Sequence, residues 1–173
     1  MAQKRYKILV VSDSHGYNNL LRYAIGQEMP IDMLIHCGDV QGDLDSILGK
    51  GRDYDLKVVR GNCDLNSCPL VLNFKVGYYN IFVTHGHLYD VKYTNERICQ
   101  AARQNMADIV LFGHSHVPEI VTTEDNILLV NPGSVALPHQ YPPKRSYAVL
   151  TIDEDEGPSA EIRYLPDYVP ANF

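Results

Sequence analysis

Phe112-Gly113-His114-Ser115-His116-Val117 places two imidazoles one residue apart, where the β-branched segment Ala107–Phe112 gives way to a glycine. On extended backbone, side chains at i and i+2 point the same way, so both rings address one small volume beyond the end of a strand. Similar groups recur along the chain. Asp13 and His15 follow the apolar run Tyr6–Val11, Asp39 follows Asp32–His36, Asn62 follows Leu56–Arg60, and His85 follows Tyr79–Val83. Carboxylate, amide oxygen and imidazole form a mixed O/N donor set suited to Mn²⁺, Fe or Zn²⁺, unlike the thiolate sets of structural zinc. One carboxylate has two oxygens, so a single aspartate can serve two cations about 3.5–4 Å apart, the spacing used for in-line displacement at phosphorus.

The elements between these residues must carry them to one place. Tyr6–Val11, Asp32–His36 and Leu56–Arg60 read as strands. A helix with Leu20, Leu21, Ala24 and Ile25 inward, capped by Asn18 or Asn19, follows the first and ends before Pro30. A short helix over Leu44, Ile47 and Leu48 follows the second and stops at Gly49. Leu70–Val76 and Tyr79–Val83 read as a hairpin around Gly77-Tyr78, and a helix spans about Thr94–Gln104 with Ile98, Ala101 and Ala102 inward. The later chain is mainly β: Ile120–Thr123, Ile127–Val130, Tyr147–Ile152 and Glu161–Leu165, with Asp153–Gly157 as an acidic turn. The expected fold class is α/β, two packed mixed β-sheets flanked by α-helices, with the ligand loops on one edge.

A chain of 173 residues is expected to form one domain, over 1–173, with a core that needs no disulfides. The net charge of -6 and an isoelectric point near 5.6 argue against a duplex-gripping surface. Ile8-Leu9-Val10-Val11 is too short for a signal sequence and no run approaches a membrane span, so a cytoplasmic protein is expected. Cys37, Cys63, Cys68 and Cys99 lack paired Cys-x-x-Cys spacing; Cys99 reads as core, and a Cys63–Cys68 disulfide or half zinc site lacks a second pair.

Taken in order, the motifs resemble the calcineurin-like metallophosphoesterases. Asp13-Ser14-His15 is similar to that family's Asp-x-His, Gly38-Asp39 to its Gly-Asp, and Gly61-Asn62-Cys63-Asp64 to its Gly-Asn motif. His85-Gly86-His87 and Gly113-His114-Ser115-His116 are similar to the remaining two, over about residues 6–135. The resemblance implies a dinuclear-metal-dependent phosphoesterase, most simply a phosphodiesterase acting on small phosphodiesters through a metal-bridging hydroxide. It assigns one cation to Asp13, His15, Asp39 and His116 and the other to Asp39, Asn62, His85 and His114, with Asp39 as the bridge. Mn²⁺ is the expected metal, with Fe, Zn or Ni as alternatives. A homo-oligomer is compatible with this reading, and the expected partner is a small diester rather than nucleic acid or membrane.

One position departs from the pattern. Many members place histidine directly after the motif's asparagine, at the general-acid position, where this chain has Cys63. A thiol beside cations is a doubtful proton donor, so diesters with good leaving groups are the expected substrates. His87 is the other candidate donor and, with Asn62 and His139, a candidate substrate contact. Asp64 orients a neighbour or forms a turn, and His36 reads as buried beside its strand. Asn131-Pro132-Gly133-Ser134 resembles a family loop whose N–H groups could meet phosphate, and Tyr17 and Tyr89 are candidates to stack on a base. The rivals are a non-catalytic binding scaffold of the same fold, favoured if ligand side chains were missing, and a nuclease, disfavoured by the acidic balance and revived by steep salt dependence of DNA binding.

Overall fold

A computed structural model describes residues 4–173; Met1, Ala2 and Gln3, part of the expected 1–173 domain, lie outside the described residues. β1 (Arg5–Val11) pairs parallel with β2 (Met33–His36), which pairs parallel with β3 (Asp55–Val58). β9 (Ser146–Asp153) runs antiparallel to β1, and β10 (Gly157–Tyr164) closes that sheet in the order β10-β9-β1-β2-β3. The second sheet, β4-β5-β6-β8-β7, comprises β4 (Val71–Val76), β5 (Tyr79–Thr84), β6 (Ile109–Leu111), β7 (Pro118–Thr122) and β8 (Leu128–Pro132). Within it β5, β6 and β8 are parallel neighbours. Both sheets therefore send the carboxyl ends of three parallel strands toward loops that can converge.

Alternation along the strands explains the layering. Ile8, Val10 and Ile35 of one sheet meet Ile81, Val83, Ile109, Leu111 and Val130 of the other in a shared buried core. Leu9, Val11 and Leu34 face the opposite way, against Leu20, Leu21, Ala24 and Ile25 of α1 (Asn18–Glu28) and Leu44 of α2 (Leu44–Leu48). Ile98, Cys99, Ala101 and Ala102 of α3 (Glu96–Gln104) pack on Phe82, Val110 and Leu129 of the second sheet. The expected two mixed sheets flanked by helices are what the chain forms.

Some local expectations need correction. Neither Asn18 nor Asn19 caps α1: Tyr17 occupies the cap position without a side-chain bond, and the Asn19 amide instead donates to the Pro170 carbonyl at 3.2 Å. The third strand ends at Val58, because the Arg60 N–H turns to the Pro69 carbonyl at 2.8 Å. Cys63 and Cys68 are free thiols. Among the described residues no helix is long and apolar enough to cross a membrane.

Candidate metal centre

Backbone hydrogen bonds tie the loop after β1 to the loop after β2, and the loop after β5 to the loop after β6, before any side chain is considered. His15 N–H donates to the Asp39 carbonyl at 2.9 Å, Asp13 N–H to that of Gly38 at 3.0 Å, and Gly113 N–H to that of His85 at 3.0 Å. Close approach leaves no room for a Cβ at two of the glycines: at Gly61 it would strike the Asp39 carboxylate, at Gly113 the Ser12 hydroxyl. Backbone strain gathers here as well. Asp13, His15, Asp39, Gln41, His114 and His116 all have positive φ, between 43° and 69°, a region costly for non-glycine residues. Such strain persists only where the surroundings over-determine it, and it concentrates at functional sites.

The side chains converge. His116 Nε2 lies 3.0 Å from Asp13 Oδ1, and His85 Nε2 lies 3.9 Å from the same oxygen. Asp39 Oδ2 lies 3.4 Å from His85 Nε2 and 3.8 Å from His15 Nε2, so this carboxylate faces both histidines. Three sets of donor atoms fall within 4.8 Å of one another: Asp13, His15 and His116; Asp13, Asp39 and His85; and His15, Asp39 and Cys63. The His114 ring lies 5.1 Å from that of His85 and 6.1 Å from that of His87, centroid to centroid. Asn62 is exposed at the edge, its amide donating to Cys63 Sγ at 3.3 Å.

Proton positions follow from the partners. His85 Nδ1 lies 2.7 Å from the Cys37 carbonyl and His116 Nδ1 2.6 Å from the Leu137 carbonyl, so each Nδ1 carries the proton. In the neutral rings both Nε2 atoms then present lone pairs to Asp13 and Asp39. Buried Asp13 Oδ1 and His85 Nε2 accordingly have no hydrogen-bond partner, and the 3.0 Å approach of His116 to Asp13 sets lone pair against lone pair unless a proton or a cation lies between. This is the donor set and outer tethering that a divalent cation requires.

Without a cation the electrostatics favour the proton: burial alone would lower the pKa of His85 and His116, but their contacts with Asp39 and Asp13 raise both. Burial alone would raise the Asp39 carboxyl, but the His85 contact and the Cys63 N–H at 2.8 Å hold it well below the usual carboxylate range. Asp13 is likewise lowered, burial being outweighed by His116 and His85. Burial and the neighbouring His85 push His114 down to about 4, leaving its ring neutral.

Other residues hold this arrangement. The Asp64 carboxylate accepts N–H bonds from Asp39 and Gln41 at 2.8 Å and from Gly61 at 2.9 Å, clamping the loop after β2 to the loop after β3. Three converging backbone donors are a tertiary fact; the sequence allowed that Asp64 orients a neighbour or ligand, or turns the chain, without saying which. His36 is fully buried; its Nδ1 accepts from Gly38 N–H at 3.1 Å and its Nε2 faces the Ser14 hydroxyl at 2.9 Å, burial pushing its pKa down to about 4. Asn131-Pro132-Gly133-Ser134, the candidate phosphate loop, has fewer N–H groups to offer than expected. It is buried, Gly133 N–H is spent on Asn131 Oδ1 at 2.9 Å, and Ser134 Oγ donates to the Asp13 carbonyl at 2.8 Å. His139 stacks on His116 with centroids 4.3 Å apart, His87 lies 5.4 Å from His85, and its Nδ1 is buried without a partner. Tyr89 packs edge-on against Phe82, while Tyr17 remains exposed.

Comparison with known proteins follows the same lines. The probable metallophosphoesterase YsnB of Bacillus subtilis is 36% identical over 159 residues, which cover 91% of this chain and 89% of that protein. The crystal structure of a conserved Streptococcus pneumoniae protein, a predicted phosphoesterase, superposes with a TM-score of 0.76 at 28% identity, covering 94% of this chain and 100% of that one. A novel archaeal phosphodiesterase shares the fold with a TM-score of 0.68 at 19% identity, over 92% of this chain and 99% of its own. The family model for the calcineurin-like phosphoesterase superfamily domain matches residues 6–155, a span that contains every loop of the histidine and aspartate cluster, and the chain belongs to that superfamily.

Proposed function

We propose that this chain is a phosphodiesterase that uses two divalent cations, Mn²⁺ by preference, to hydrolyse small phosphodiesters. The observation that carries the reading is the pair of buried, unpartnered atoms, Asp13 Oδ1 and His85 Nε2, at the centre of a donor set with no thiolate requirement. Asp13, His15, Asp39 and His116 would hold one cation and Asp39, Asn62, His85 and His114 the other, with Asp39 serving both. Two bound cations would supply a nucleophile at neutral pH and neutralise charge on the phosphoryl oxygens.

The chain's own residues do the rest. The Cys37 and Leu137 carbonyls orient the two imidazoles, keeping Nε2 as donor and sparing the site a search among tautomers. Cys63 stands where a leaving alkoxide would need a proton; burial and the Asp39 carboxylate raise its thiol pKa and bound cations would lower it, so a thiol here is a poor substitute for an imidazole donor. His87, its pKa lowered by burial and by His85, is neutral at physiological pH and has no proton to spare beyond its single N–H. Diesters with stable leaving groups are therefore better served than alkyl monoesters. Asn62, His87 and His139 form the edge that meets the substrate, and 1–173 acts as one catalytic domain. Four free thiols suit a reducing compartment, which supports a cytoplasmic location.

The test is turnover resolved by metal. Protein stripped by chelator and verified empty should be inactive on bis(p-nitrophenyl) phosphate and recover with Mn²⁺; activity indifferent to stripping rejects the reading.

A further inference from the structure

Beside the cluster lies a cavity of about 430 Å³ lined by Gln41, Gly42, Asp43, Cys63, Leu65 and Asn66. Its size falls within the range of about 300–1,000 Å³ typical of small-molecule sites. Cys63 belongs to both places: its Sγ lies within 4.8 Å of the His15 and Asp39 donor atoms, and the same residue forms cavity wall. A phosphoryl group seated over Asp39 is thus one side chain away from this space.

The two loops that build the cavity are held by one group. Gln41 N–H donates to Asp64 Oδ1 at 2.8 Å and Gly61 N–H to Oδ2 at 2.9 Å. Gln41 sits at φ 54°, so the fold keeps this residue at the cavity against its local preference.

The lining has a definite chemistry. Leu65 is 104% exposed, an apolar surface with nothing over it. Gln41 has no side-chain hydrogen bond among the described residues, and Asn66 uses only its Oδ1, which accepts from Cys68 N–H at 3.0 Å. Asp43 is the one formal charge of the lining, its carboxylate capping α2 through Ser46 N–H at 3.1 Å. We infer that this cavity receives one ester substituent of the substrate, and that the substituent is uncharged, with an apolar face and a hydrogen-bonding edge, the chemistry of a nucleoside. The inference rests on the phosphodiesterase reading above. Leu65 rewards burial of the face, the two amides give direction to the edge, and Asp43 repels a substituent that carries a further phosphate or carboxylate.

The test uses the full chain loaded with Mn²⁺ and two diesters with the same leaving group, thymidine 5′-p-nitrophenyl phosphate and methyl p-nitrophenyl phosphate. The wild type should favour the thymidine ester in kcat/KM by about tenfold, and Leu65→Ala and Asn66→Ala should each lower that ratio by about fivefold, mainly through KM. Asp43→Asn keeps an acceptor for the helix cap and should improve by about threefold the relative turnover of a thymidine ester bearing a 3′-phosphate. A thymidine-to-methyl ratio unmoved in both Leu65→Ala and Asn66→Ala, or no gain on the 3′-phosphate ester in Asp43→Asn, with the methyl ester still hydrolysed, overturns the subsite and leaves the phosphodiesterase reading standing. Absence of metal-dependent turnover of either ester overturns both.

Discussion

The three most enclosed carboxylates among the described residues fall in two places and are treated in opposite ways. Glu28, at the end of α1, is 1% exposed and fully satisfied: Tyr147 donates to Oε1 at 2.8 Å, Arg163 Nη1 reaches both oxygens at 2.8 Å, and Lys7 Nζ lies 3.0 Å from Oε2. Asp13 and Asp39 are just as enclosed, yet Asp13 Oδ1 and the His85 Nε2 beside it have no hydrogen-bond partner, and the groups around both aspartates are imidazoles rather than permanent cations. The Glu28 charge finds its counter-charges in the chain. On the proposed reading, Asp13 and Asp39 would have theirs supplied from outside, at a cost in stability.

Substitutions sharpen the contrast, and the largest effect belongs to Asp39. Asp39→Asn should lower metal-saturated kcat/KM by about a thousandfold or more. In metal-free protein the same change should cost less in melting temperature than Glu28→Gln, since an amide keeps the acceptor for the Cys63 N–H and its own N–H can donate to His85 Nε2. A calorimetric scan with chelator checks this, and a large loss of stability would erase the distinction.

Asp64→Ala removes the acceptor of three backbone N–H groups and should weaken metal binding by about 10- to 100-fold, read by titration with Mn²⁺. It should also cost about 2–4 kcal/mol in denaturant unfolding, because three donors lose one partner. Glu28→Gln should behave in reverse to Asp39→Asn, destabilising by about 1–3 kcal/mol while turnover per folded molecule stays within about twofold. Its cations are partly solvated, which keeps the cost below that of a fully enclosed pair. Burial raises the Glu28 carboxyl, but Lys7, Tyr147 and Arg163 outweigh it and the folded pKa is lowered. Its stabilising contribution is therefore complete above the unfolded carboxylate pKa of about 4.3 and lost as pH falls through the folded value. The stability gap between wild type and Glu28→Gln should accordingly be flat above about pH 5.5 and close in more acid solution.

The smallest change concerns leaving groups. Cys63→His should raise the ratio of monoester to diester turnover by about tenfold, since an imidazole is the better general acid toward an alkoxide. An unchanged ratio would remove proton donation from this position.

Much of this was legible in the sequence because strand ends are written locally. The β-branched run before Gly113 and the apolar run before Ser12 specify strands, and polar residues directly after them must lie on the loops at their ends. What was not legible depends on contacts between distant segments. Asn18 and Asn19 are good caps by type, yet the C-terminal segment at Pro170 claimed the Asn19 amide. Asn131–Ser134 looked like a phosphate loop until the Asp13 carbonyl and its own side chains consumed its hydrogen bonds. The clamp at Asp64 and the carbonyls that fix His85 and His116 are likewise tertiary.

Crystals soaked in Mn²⁺ and measured at a wavelength where manganese scatters anomalously address the central claim most directly. Two anomalous peaks are predicted, with Asp39 between them and with Asp13 Oδ1 and His85 Nε2 each in coordination contact. Difference maps with no peak at these atoms under saturating Mn²⁺ would contradict the account.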